Sequence, residues 1–173
     1  MATQIRNLDS LKADQLVTEY NKLRLDCLKM KVGTLFHADA SAAITTAVAT
    51  DLPTAIARAN ACKASYNAHI ASACSATTGQ GAHIAADAAN AVTSANATDQ
   101  ASLETLLNEM KGDYNTHRAS TSFHPTADGT NAVSSANASD LATAITLVNE
   151  IVTDLNAHYA AAMSSQAIEL VSP

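Results

Sequence analysis

The residues best equipped for chemistry in this chain are histidines, aspartates and asparagines that return in one order. His83, Asp87, Asn90, Asn108, Asn115 and His117 are followed, 41 residues on, by His124, Asp128, Asn131, Asn149, Asn156 and His158. An imidazole offers a donor and a lone pair, a carboxylate only acceptors, and a carboxamide both. Two kinds of chemistry suit such a set. One is metal ligation: His and Asp are ligand types, and His117, His124 and Asp128 fall within twelve residues. Against it, two His four apart on one helix face do not occur. The other is structural hydrogen bonding. His69, His117 and His158 follow the apolar Cys62, Met110 and Ile151 by seven residues, two helical turns, and so share their face. A buried imidazole at a helix C-terminus suits the helix dipole but must find partners, which the Asp, Asn or His of the same unit can supply.

The asparagines extend the second reading. Asn60/Asn67, Asn108/Asn115 and Asn149/Asn156 are each seven apart and lie on one helix face. An Asn amide can bond both the N–H and the C=O of a crossing backbone segment. The structural reading is adopted, with no metal, cofactor or small-molecule substrate expected. If a metal is bound, its candidates are His69, His117, His124, Asp128 and His158. Other catalytic templates are missing: there is no Gly-rich phosphate loop, no Gly-x-Ser-x-Gly, and no carboxylate pair in an apolar context.

These residues sit in an internal repeat. Segments 83–117 and 124–158 align without a gap and are identical at 19 of 35 positions. A third copy, 37–69, matches the last through Asp39, Asp51, Leu52, Ile56, Asn60, Asn67 and His69. Its first histidine, His37, stands two residues closer to its Asp. The N-terminal segment is a diverged partial copy in which Met30 takes the place of the helical His. Each unit is a long polar stretch followed by a helix. Asp51 or Thr50, Asp99 or Thr98, and Asp140 or Ser139 stand where a helix N-cap is needed, and Pro53 suits the first turn. Leu141, Ile145, Val148, Val152, Leu155 and Tyr159 recur at helical spacing, as do Leu103, Leu106, Met110 and Tyr114. The helix after Asp51 uses small residues, Ala55, Ala59 and Cys62, and should approach its neighbours most closely.

The expectation is an all-α domain spanning 1–173. It is a helical bundle of one N-terminal helix, about 10–34, plus three loop-helix repeats over 37–69, 83–117 and 124–158, with a C-terminal tail over 164–173. Structureless loops of such length are unusual in a compact domain, so the repeated ones should be ordered and lie across the helices, with a turn near ADGTNAV.

Composition bounds the rest. A net charge of −6 and a pI of about 5.3 argue against nucleic-acid binding. No apolar run is long enough for a membrane span, and MATQIRNLDS lacks the apolar stretch of a signal peptide. Cys27, Cys62 and Cys74 show no ligand spacing and read as reduced thiols made in a reducing cytoplasm.

The elements Tyr-Asn-x-His, His-x-x-x-Asp-x-x-Asn and Leu-x-x-Asn-Glu resemble repeats of virion structural proteins of tailed bacteriophages. The likeness covers roughly residues 37–158. It implies a non-catalytic structural subunit of the particle, made in the host bacterial cytoplasm and present as a homo-oligomer. Its place would be a neck or head–tail connector, or capsid decoration, and its partners copies of itself and other virion proteins. The sequence departs from the pattern at Met30, at the shortened His37 loop and at Leu155 in place of Tyr. Ile168, Leu170 and Val171 have no place in the repeat and form a candidate docking tail. The alternatives are a metal-binding helical protein using the repeat histidines, and a peptide-binding helical module with sites between repeats.

Overall fold

A computed structural model describes residue 21 and residues 42–73, 83, 85–124 and 126–161. The expected N-terminal helix (apart from Asn21, which is helical), Met30, His37 and the tail with Ile168, Leu170 and Val171 lie outside the described residues. Among the described residues the chain is all-α. It has three helices of 20 residues, α1 (Leu52–Ala71), α2 (Gln100–Ala119) and α3 (Leu141–Ala160), and an isolated parallel bridge between Ala73 and His83. None of them is long and apolar enough to cross a membrane.

Each helix starts at an aspartate in extended backbone. Asp51, Asp99 and Asp140 accept from the amides of Thr54, Ser102 and Thr143, whose hydroxyls accept in return from the N-cap amide. Two otherwise orphaned N–H groups are thus satisfied at every start. The ends are alike as well: the N–H of Ser72, Ser120 or Ala161 donates to the carbonyl of His69, His117 or His158, and the chain then turns away.

The helices touch pairwise, all three with all three, around one core. α1 brings Ala55, Ala59, Cys62 and Tyr66, α2 brings Leu103, Leu106, Leu107, Met110 and Tyr114, and α3 brings Leu147, Val148, Ile151 and Leu155. At about 1.5–3 kcal/mol for each large apolar side chain removed from water, this core dominates stability. The Cys62 thiol is fully buried, and burial raises its pKa to about 12, so it is an inert packing residue. Gly112 interrupts α2 at an exposed site where a Cβ would meet nothing within 4 Å; the other repeats carry Ala64 and Thr153 there. Gly112→Ala should stabilise the protein by about 0.5–1 kcal/mol, read as a raised urea midpoint at constant slope.

The stretches before the helices are ordered, and asparagines hold them. Asn67 accepts from the Val92 amide at 3.0 Å and donates to the Val92 carbonyl at 2.9 Å. Asn60 does the same to Ala97, at 2.8 and 3.0 Å. On α2, Asn115 clasps Val133 and Asn108 clasps Ala138. On α3, Asn156 clasps Ile44 and Asn149 clasps Ala49, more than a hundred positions back in one case and a hundred in the other. Each helix therefore grips the loop of the next unit, and the last helix grips the loop of the first. The three units close into a ring.

Helix and loop lengths do not match between clasps. Seven residues of helix rise about 10.5 Å, whereas five residues of extended chain reach about 16–18 Å. The loop must buckle, and it bends at Ser94 and Ser135. Glu109 takes the Thr93 and Ser94 amides, and Glu150 those of Ser134 and Ser135. Lys63 and Lys111 donate to the carbonyls of Ser94 and Ser135. Burial raises the pKa of both glutamates, but these hydrogen bonds outweigh it and bring them down to about 2.

The first loop is fastened differently. Ala61 and Val152 stand where the other units have the glutamate and the lysine. Arg58 instead donates to the carbonyls of Thr46 and Ala47. A shallow cavity of about 380 Å³ is left beside Ala61, Ser65 and Ala68. The tyrosines shift with it. Tyr66 and Tyr114 donate to the carbonyls of Asn90 and Asn131, whereas the third position is Leu155 and the hydroxyl of Tyr159 lies 3.1 Å from that of Ser65.

Candidate functional site

The ring brings the C-terminal histidines of all three helices together. The ring centroids of His69, His117 and His158 are 5.8, 5.6 and 5.7 Å apart, a near-equilateral triangle. The loop histidines His83 and His124 lie against them. With His117 they form a tighter triangle of 4.7, 5.0 and 4.6 Å. All five imidazoles are buried. In each of the two triads, one ligand-type atom per residue lies within 4.8 Å of the others.

Two aspartates orient the helical imidazoles. Asp87 accepts from His117 Nδ1 at 2.9 Å, and Asp128 accepts from His158 Nδ1 at 2.8 Å. Each aspartate is itself fixed. The Asp87 amide donates to the Ile70 carbonyl at the end of α1, and its carboxylate accepts from the backbone and side-chain amides of Asn90. The Asp128 amide donates to the Arg118 carbonyl, and its carboxylate accepts from Thr130 and from both amides of Asn131. This is the turn in ADGTNAV. Each aspartate ties the end of one helix by its backbone to the end of the next by its side chain. His124 Nδ1 pairs with the Ser120 carbonyl at 2.9 Å. His117 Nε2 lies 3.2 Å from His83 Nε2.

The electrostatics follow from burial. Removal from water, then repulsion from the neighbouring imidazoles, pushes His83 down to about 2. Burial brings His117 to about 4 against the opposing pull of Asp87, and His124 also to about 4. His158 moves down for the same reason. Burial raises the Asp128 carboxyl, but its hydrogen bonds from His158, Asn131 and Thr130 prevail and hold it well below the usual range. His83, His117, His124 and His158 are therefore neutral imidazoles at neutral pH, beside an ionised Asp128. A general acid or base must meet its substrate, and His83, His117, His124 and His158 expose no surface at all. The arrangement suits a cation or a packed hydrogen-bond network.

The residues singled out in the sequence fall into two groups. His69, His83, Asp87, His117, His124, Asp128 and His158 meet in this cluster, whereas Asn108, Asn115, Asn149 and Asn156 stand on the helix flanks as loop clasps. Spacing alone did not single out Arg58 or Lys63; their signal was a buried-face position carrying charge in one repeat and Leu or Val in another. Compared with protein-family models, curated proteins and solved structures, the chain matches none.

Proposed function

We propose that this chain is a non-catalytic structural subunit of a bacteriophage particle, placed at the neck or head–tail connector or on the capsid as decoration. The observation that carries the reading is the use of the repeat's polar signature. All six paired asparagines, the loop aspartates Asp87 and Asp128 and the two bend glutamates are engaged in fastening this chain to itself. Such a build yields a rigid bead. The likeness of its repeat elements to virion proteins supplies the particle. Among the described residues Val48 is the only large hydrophobic left exposed. Contacts between subunits through that part are then polar.

The test is the mass of the purified full chain by light scattering, alone and with particle proteins, beside its copy number in purified particles. A defined oligomer, or incorporation at many copies per particle, is the expected result. A monomer that is also missing from purified particles overturns the reading.

A further inference from the structure

We propose that His83, His117 and His124 bind one transition-metal ion of the zinc class as a buried three-histidine centre. The ligand set comes from three places that the ring brings together: the start of the second loop, the end of α2 and the start of the third loop. Two ligands of a tetrahedral ion at 2.0–2.1 Å stand about 3.3 Å apart. The Nε2 atoms of His83 and His117 are 3.2 Å apart. Imidazoles sharing one such ion through their Nε2 atoms have ring centres about 5 Å apart. This triad, at 4.6–5.0 Å, fits that spacing better than His69, His117 and His158 at 5.6–5.8 Å.

The groups around His117 and His124 match what a metal-bound imidazole requires. A ligating His ordinarily donates its other ring N–H to a carboxylate or a backbone carbonyl, which sets ring orientation and raises basicity. His117 gives Nδ1 to Asp87, and His124 gives Nδ1 to the Ser120 carbonyl. Both rings thereby carry their lone pair on Nε2, and that of His117 lies 3.2 Å from His83 Nε2. Asp87 is immobilised by Asn90 and by its own amide, so the site is organised before any ion arrives. Three imidazoles without thiolate select zinc, copper, nickel or iron over magnesium or calcium. With all three imidazoles buried, the ion would lock two loops to one helix end.

The full chain, stripped with a chelator and dialysed, is titrated with Co²⁺ as a spectroscopic stand-in, and Zn²⁺ is then added to displace it. One equivalent should develop the strong visible bands of tetrahedral Co²⁺, and Zn²⁺ should remove them. Zn²⁺ at a hundredfold excess over its Kd should raise the Tm by about 5–10 °C. His117→Gln should abolish the bands, and Asp87→Asn should weaken binding about 10- to 100-fold. His69→Gln should leave the bands in place. A folded, stripped wild-type chain that takes up neither ion overturns the proposal without recourse to any variant. Loss of the bands on His69→Gln with retention on His83→Gln and His124→Gln overturns the ligand assignment.

Discussion

Asn149→Ala with Asn156→Ala should lower the stability by about 4–6 kcal/mol, about 2–3 for each single change. Each amide makes two hydrogen bonds to one residue of the first loop, Ala49 or Ile44. Both are buried, so water cannot replace the lost partner. An orphaned buried backbone group costs about 1–3 kcal/mol, and each truncation creates two. The loss is large against a total of about 5–15 kcal/mol, and the double variant should be partly unfolded at room temperature. The informative comparison is with Asn60→Ala and Asn67→Ala, which release the second loop. In a closed ring the two pairs cost about the same. In an open row of repeats the last pair would be dispensable, so a double variant of Asn149 and Asn156 with wild-type urea midpoint would refute closure. Asn156→Asp is a useful control: it keeps the acceptor for the Ile44 amide but sets an oxygen against the Ile44 carbonyl, and should cost about as much as Ala.

Acid should unfold the metal-free protein early. In the unfolded chain a histidine titrates near 6.5, whereas in the fold His117 and His124 titrate at about 4 and His83 at about 2, with His158 also lowered. Between those values the unfolded state binds protons that the folded cluster refuses. The stability from neutral imidazoles is therefore fully present above about pH 6.5 and is lost as pH falls below it. Four such groups give a slope of at most about 5 kcal/mol per pH unit. Two carboxyls oppose it: burial raises Asp113 to about 6 and raises Asp154, so the fold gains protons there. Both are only partly buried and offset the histidines only in part. The glutamates of the loop bends act later, since their stabilisation is lost only as pH falls from about 4.5 towards 2. In chelator the urea midpoint should fall steeply from pH 7 to pH 5, and helicity should be lost near pH 5. A midpoint flat across that interval would show that the imidazoles are not buried neutral.

Much of the fold was legible because it is local. Asp51, Asp99 and Asp140 announce helix starts within four residues of the groups they cap, and the spacing of Leu141, Ile145, Val148, Val152 and Leu155 fixes a buried face. The two-sided bonding of the asparagines followed from the amide's chemistry and its seven-residue spacing. The identity of the loop each pair holds did not follow. Nothing near Asn156 points to Ile44, and that pairing depends on the third helix meeting the first loop. The cluster suffered the same limit. A search for two histidines one turn apart assumes a single helix, but here the histidines come from loop starts and helix ends that the ring alone unites. The change of fastening at the first loop was visible only as Ala61, Val152 and Arg58 breaking a pattern, without the geometry that makes them compensate.

Closure also governs how such a chain can change in length. A solenoid gains or loses units freely, because every unit meets only its neighbours and a new copy finds the same two faces. Among the described residues the grip of α3 on residues 44 and 49 leaves no open end to extend. A fourth unit would have to part α3 from the first loop and the three helices from their shared axis, and a deleted one would leave two helices unable to enclose the imidazoles. Tandem copies can be gained or lost, yet the closed tertiary structure tolerates one count. Among the described residues the architecture itself sets the number at three.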